Sequence, residues 1–331
     1  MRLSRTGAEL EMLRAERLLD QPIIRPHMDG RMGDNINGPA LIRIPDWAEG
    51  LGRYHLYFSD HKGDYIRLAY ADALTGPWTM HEPGALNLED SLFPHGDLPE
   101  PPPEDRPAWA AKMVGGYLYP HIASPDVHID NASRRFRMYF HGLVENGDQF
   151  TRVAYSDDGV TFTPRETMLG APYFRVAEYQ NALYTVGWGG RLWRGTDWDA
   201  PFEEGPQIIP FDAKDGVGEG FRHGETRVID GRLHLFFHRM GDKPESILHT
   251  ILDTDGDWRT WRAGTISTLL TPELEWEGAD LPLARSVMGA NIGRARELRD
   301  PCYFEDEDGA RYLLYCGAGE SGIGIARLTG F

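Results

Sequence analysis

After its first twenty residues the chain shows little helical periodicity. Short runs that alternate apolar and polar positions, or end in aromatics, recur instead, which is the pattern of half-buried strands. Five of them share one order: a strand, a tight polar turn, then a second strand ending in aromatic residues. They read ALIRIPDWAEGLGRYHLYFSD (40–60), DVHIDNASRRFRMYFHG (126–142), YFRVAEYQNALYTVGW (173–188), ETRVIDGRLHLFFHR (225–239) and CYFEDEDGARYLLYCGA (302–318). Their turns carry Asp-Gly, Asn-Ala or Glu-Asp-Gly, the residue types that short hairpins need. A third strand follows each hairpin, at 66–72, 151–157, 190–197, 246–253 and 322–328. In four of the five, a turn at 75–78, 157–162, 197–202 or 255–258 then leads into a fourth, outer strand.

Four strands repeated five times predict an all-β chain folded as a five-bladed β-propeller. A β-sandwich would need the same internal order to arise five times by coincidence. The expected blades span about 35–82, 121–168, 170–210, 221–264 and 298–328 of a single domain over 1–331, with an N-terminal arm at 1–30. Within that arm, residues 1–20 read as a short amphipathic helix, and QPIIRP (21–26) is the candidate outer strand that closes the last blade. Residues 83–120 and 265–298 read as long loops between blades, where binding surfaces are often built.

With 41% hydrophobic residues, including 9 Trp, 14 Tyr and 14 Phe, the 331-residue chain can bury a large core, which excludes wholesale disorder. A net charge of −17 argues against a nucleic-acid or anionic-membrane partner, and no apolar run approaches the ~20 residues of a membrane helix. The N-terminus has no apolar signal core, so a cytoplasmic location is expected. Cys302 and Cys316 sit on two arms of one hairpin and read as free buried thiols, too few for a disulfide framework or a four-ligand zinc site. Nothing in the sequence sets the oligomeric state.

In a propeller blade the first strand lines the central channel and begins at one of its mouths, where the loops between second and third strands also project. The strand starts contribute Asn35, Asn37, Gly38, Ser124, Asp126, Tyr173, Arg175, Arg222, His223, Glu225, Arg299 and Asp300. The loops contribute Asp60, His61, His141, Trp188, Arg239, Asp242 and Glu320. Acids crowded in a poorly solvated place have their pKa values pushed apart, so one can donate a proton while another stays ionised, as glycoside hydrolysis requires. Trp188, Tyr173 and Phe174 offer flat faces for a sugar ring. The competing reading makes these groups interblade salt bridges. Arg175, Arg222, Arg239 and Arg299 suit an anionic substrate such as a uronic acid or sulfated sugar, or else merely neutralise Asp126, Glu225 and Asp300. His121 and His128 flank Asp126, but ordinary polar contacts are expected there and no metal-ligand set. The Gly-x-Gly at 322–324 lies in a strand with no following helix, so a dinucleotide loop is rejected.

LAYADALTGPWT (68–79), IASPDVHID (122–130) and LRDPCYFEDEDGARYLLY (298–315), with the five-fold pattern, resemble the five-bladed propeller glycoside hydrolases of the arabinanase and β-xylosidase type, that is, of the family 43 kind. The resemblance runs from about residue 35 to residue 328. It implies three acids: an Asp before Pro in blade one, an Asp after Pro in blade two and a Glu in blade three. Asp126 in Ser124-Pro125-Asp126 matches the second, whereas Gly38 and Gly170 stand at the first and third. The Asp-Pro pair survives in blade five as Asp300-Pro301. The expected catalytic set is therefore Asp126, Asp300, Glu225 and His223, in an enzyme that cleaves a glycosidic bond of an oligo- or polysaccharide-derived sugar. Asn37, Asp60, His61, His141, Arg175, Trp188, Arg222, Arg239, Arg299 and Glu320 are the expected carbohydrate-binding groups. The alternative is a propeller that binds carbohydrate without cutting it. No cofactor is required by either reading, and a structural calcium ion in the central channel is compatible with both.

Overall fold

The computed structural model describes residues 13–110, 116–212, 218–289 and 293–331. Five antiparallel sheets form the blades of a five-bladed β-propeller. Blade one comprises Asn37–Arg43, Tyr54–Ser59, Tyr65–Ala71 and Thr79–Asn87. Blade two comprises Ile122–Asp130, Arg135–Leu143, Gln149–Ser156 and Thr163–Pro164, and blade three Ala177–Tyr179, Ala182–Gly187, Arg191–Gly195 and Glu203–Gln207. In blade four Glu219–Ile229, Arg232–Met240 and Ile247–Asp253 are followed by Arg262–Ala263 and Ser267–Leu270, which both pair the third strand. Blade five is Arg299–Glu305, Arg311–Cys316 and Ile323–Thr329, completed by Arg14–Arg17 from the other end of the chain.

That closure corrects two expectations. Arg14–Arg17 is an edge strand rather than helix, and residues 1–12 of the expected helix lie outside the described residues. The closing strand is not 21–26 either: there only Ile23 and Ile24 bond to Ile323. Pro22 and Pro26 lack the N–H groups that a continuous ladder would use. The edge strand is tied down by Arg17, which donates from Nε and Nη2 to the buried carboxylate of Glu277 at 2.7 and 2.8 Å.

Each of the five hydrophobic clusters fills one blade interface. Along Arg232–Met240, Leu233, Leu235 and Phe237 pack toward blade three while Phe236 packs toward blade five. Strands buried on both faces read as continuous apolar runs, which explains HLFF in this blade. Phe174 belongs to the interface between blades two and three, against Trp193 and Phe202, and so cannot face a sugar. Cys302 and Cys316 are buried free thiols, opposite Leu314 and Arg299 rather than each other.

Candidate active site

Three inner strands begin with the same device. Asn37-Gly38-Pro39, Ala123-Ser124-Pro125 and Arg299-Asp300-Pro301 each stand at a break in strand register. The middle residue is left-handed, with φ of 60° at Gly38, 52° at Ser124 and 49° at Asp300. A residue before proline is sterically steered to extended backbone, so the bulge holds Ser124 and Asp300 in strained geometry of the kind found at functional sites. Both side chains line the cavity at the mouth. Gly38 has no room for one, because a Cβ there would lie 2.9 Å from the Ser124 Cα. At Gly170 a Cβ would lie 2.5 Å from the Phe174 ring. The two positions at which the resemblance would place acids are thus sterically closed. Asp300 reaches over from blade five instead, its Oδ2 accepting from the Gly38 N–H at 3.2 Å.

Placing an acid at position 38 should therefore fail. Gly38→Asp is expected to cost about 1–3 kcal/mol, from the strained φ and the contact with Ser124, and to add no activity. A urea melt of the variant that matched the wild type would contradict this steric closure.

The mouth holds a cavity of about 360 Å³. Tyr173 and Trp188 form one wall, their rings 5.7 Å apart. Tyr117, Tyr119 and Trp109 from the 83–120 loop form another, and Met288 and Gly289 from the 265–298 loop contribute a third. Between them lie His223 and Asp300. His223 Nδ1 is 3.0 Å from Asp300 Oδ1, and His223 Nε2 is buried with no hydrogen-bond partner among the described residues. Burial brings the His223 pKa down to about 4 despite Asp300, so the ring is neutral at pH 7. Burial would raise Asp300, but His223 and His238 hold it well below the usual carboxylate range.

Behind this pair runs a buried polar chain. His238 Nε2 lies 3.2 Å from Asp300 Oδ1 and accepts from the Asp300 N–H at 3.1 Å, and His238 Nδ1 is 2.6 Å from Glu245 Oε1. Arg222 grips Glu245 with Nε and Nη2 at 2.8 and 3.1 Å. Burial works against the Glu245 charge, but Arg222 and Arg299 keep the carboxyl far below its ordinary range. Glu320 is brought down to about 2 by His61 and Arg299 against the penalty of burial.

Asp126 and Glu225 do not join Asp300 in this cavity, which corrects the expectation of one acidic pocket. Asp126 follows Ser124 by two residues and Glu225 follows His223 by two, which places each about 7 Å further along its strand. Fully buried Asp126 accepts from Val176 N at 2.8 Å and Arg227 Nη2 at 2.9 Å, and contacts His128 Nε2 at 2.8 Å. Burial would raise its pKa, but His128 and Arg227 hold it well below the carboxylate range. Glu225 lies 2.5 Å from Arg227 Nε and 3.6 Å from Arg175 Nη1, charge contacts without an aligned hydrogen bond. Burial pushes its pKa up to about 7 even beside those arginines. Arg175 is fully buried and donates to Pro39 O at 2.8 Å, bridging blade three to blade one.

The arginines expected to meet an anion are committed within the protein. Arg299 is buried and pairs with Glu297 at 2.5 Å and Glu320 at 2.8 Å. Arg222 lines the cavity but holds Glu245, and Arg239 points away, paired with Asp242 at 3.0 Å. Asn37, His61, Trp188 and Glu320 do line the cavity, whereas His141 is buried behind its wall, 4.5 Å from the Tyr173 ring. Asp60 belongs to a neighbouring cavity of about 880 Å³ that shares His61, Lys62 and Glu320. Sequence reasoning missed His238, Glu245, Lys62 and Tyr119. A signal existed for His238: it stands two residues before the end of its blade's second strand, as His141 does, while Ser59 and Cys316 end theirs.

Among the described residues, His223, His238 and Asp300 form a group of donors whose ligand atoms all lie within 4.8 Å of one another, where the sequence suggested no ligand set. This donor set is not one for calcium. Calcium takes six to eight oxygens, and here two of the three donors are nitrogens. Deeper in the channel, Arg175 and Arg227 already face the carboxylates.

No family model matches the chain. Uncharacterized protein R118 of Acanthamoeba polyphaga mimivirus is 36% identical over 313 residues, covering 89% of this chain and 83% of that protein. Among solved structures, a GH43 β-xylosidase/α-arabinofuranosidase from a compost microbial metagenome, in complex with xylotriose, superposes with a TM-score of 0.57 at 13% identity over 96% of both chains. The catalytic domain of a GH62 α-L-arabinofuranosidase from Coprinopsis cinerea gives 0.54 at 16% identity, covering 96% of this chain and 97% of that one. An N-acetylgalactosamine deacetylase from F. plautii, in complex with blood group B trisaccharide, gives 0.51 at 11% identity, covering 95% and 93%. At these identities the likeness is one of fold.

Proposed function

From a chain that belongs to one family with the mimivirus protein and carries the propeller fold of the GH43 and GH62 enzymes, we infer a glycosidase-like enzyme that opens a glycosidic bond at the mouth of its propeller axis. One observation carries the reading: a neutral imidazole, His223, is oriented by a buried ionised carboxylate, Asp300, and keeps Nε2 without a partner among the described residues beside an aromatic-walled cavity. A sugar ring stacked on Trp188 or Tyr173 brings a water beside its anomeric carbon within reach of that nitrogen, which takes the water's proton as the new C–O bond forms. The departing oxygen takes a proton from solvent in the cavity as its bond to that carbon breaks. Asp300 fixes the ring and stabilises the charge it gains when it takes a proton. Glu320, ionised and 4% exposed, supplies negative potential toward an oxocarbenium-like transition state.

The bound xylotriose of the metagenomic xylosidase makes short neutral oligosaccharides the first substrates to try. With its arginines committed, an acidic sugar would rely on Lys62, whose Nζ lies 4.3 Å from the centre of the Tyr119 ring. Binding without cleavage is the second reading, favoured by the closed positions at Gly38 and Gly170. A panel of aryl glycosides, including furanosides and uronides, separates the two. Turnover of at least one member that His223→Ala abolishes supports the enzyme. Saturable sugar binding by the wild type with no turnover across the panel supports the binding propeller.

A further inference from the structure

We propose that His223, His238 and Asp300 bind a divalent first-row transition-metal ion at the floor of the pocket, through two imidazoles and one carboxylate. His223 Nδ1 and His238 Nε2 stand 3.0 and 3.2 Å from the same oxygen, Asp300 Oδ1. Donors that share one ion at bonds of about 2.0–2.2 Å lie roughly this far apart. Two nitrogens with one carboxylate form a donor set that such ions accept and calcium does not.

The surroundings prepare these donors. Glu245 contacts His238 Nδ1 at 2.6 Å, which places the proton on that nitrogen and turns Nε2 toward Asp300, the carboxylate–histidine support found behind metal ligands. Arg222 fixes Glu245 in turn. The Gly38 N–H holds Asp300 Oδ2, leaving Oδ1 between the two rings. His223 and Asp300 both line the cavity, so the ion's remaining positions open toward a ligand there.

The test uses the full chain, stripped with a chelator and titrated with Co²⁺. The expected result is one ion per chain, a visible d–d absorption spectrum and a raised melting temperature, with Zn²⁺ displacing Co²⁺ and millimolar Ca²⁺ leaving the spectrum intact. His223→Ala and Asp300→Asn should each weaken Co²⁺ binding at least ~100-fold, and Glu245→Gln by about 10–100-fold, while their ion-free melts report folding. Absence of a stoichiometric spectrum in the folded wild type would overturn the proposal. So would a spectrum that survives His223→Ala and Asp300→Asn, or one that Ca²⁺ removes at equal concentration. The spectrum does not depend on turnover, so the glycosidase reading can fail while this site stands, and the reverse.

Discussion

Asp300→Asn is expected to lower kcat by at least ~100-fold while the fold and sugar binding persist. Asparagine is the appropriate probe because it tolerates the left-handed backbone that this position adopts at φ 49°. The side chain keeps its shape, and the single amide oxygen keeps one of the two contacts, to Gly38 N or to the His223 ring, while the NH2 faces the other. What disappears is the buried negative charge that orients His223 and stabilises its protonated form. Steady-state kinetics on the best aryl glycoside measure the effect, and KM should stay within a few-fold. A variant with unchanged kcat would reduce Asp300 to a structural tie between blades four, five and one.

The second large effect lies deeper in the channel. Arg227→Met should destabilise the propeller by about 3–5 kcal/mol, because it removes the arginine that pairs at 2.9 and 2.5 Å with two fully buried carboxylates, Asp126 and Glu225. Removing both charges of one contact separates cause from bulk. Asp126→Asn combined with Arg227→Met should lose less than the sum of the single changes, by about 1 kcal/mol or more, in urea melts. Strict additivity would mean that the Arg227 guanidinium and the Asp126 carboxylate do not interact energetically. Asp126→Asn alone is expected to act mainly on stability, since Asp126 does not line the cavity.

The blades were legible in the sequence because each is written as a hairpin with a turn carrying Gly, Asn or Asp, followed by a third strand. The third strands at Tyr65–Ala71, Gln149–Ser156, Arg191–Gly195, Ile247–Asp253 and Ile323–Thr329 lie within two residues of their expected starts. The closing strand was less legible: RAER at Arg14–Arg17 has no β-branched residue, and pairing with the free edge of blade five decides its conformation. The inner strand of blade three is paired only over Ala177–Tyr179, because Tyr173 turns left-handed at φ 71° and the Arg175 N–H bonds to Thr185 Oγ1.

The site was half legible. Asp300 and His223 stand at strand starts, and the Asp-Pro pair marks a bulge that turns its Asp into the mouth. His238 had only its place near a strand end as a signal and Glu245 had none; the packing of blade four against blade five brings His238 to Asp300, with Glu245 behind it. Depth within the channel was illegible as well. Asp126 and Glu225 differ from mouth residues by one pleat, a distance that a sequence pattern does not weigh against an arginine arriving from a neighbouring strand.

The most direct test is a crystal structure of the Asp300→Asn variant soaked with the glycoside that the wild type turns over best. The expected result is a sugar ring stacked on Trp188 or Tyr173, with a water beside its anomeric carbon about 3 Å from His223 Nε2. A sugar bound instead in the cavity beyond Glu320, or elsewhere on the propeller with His223 untouched, would contradict it.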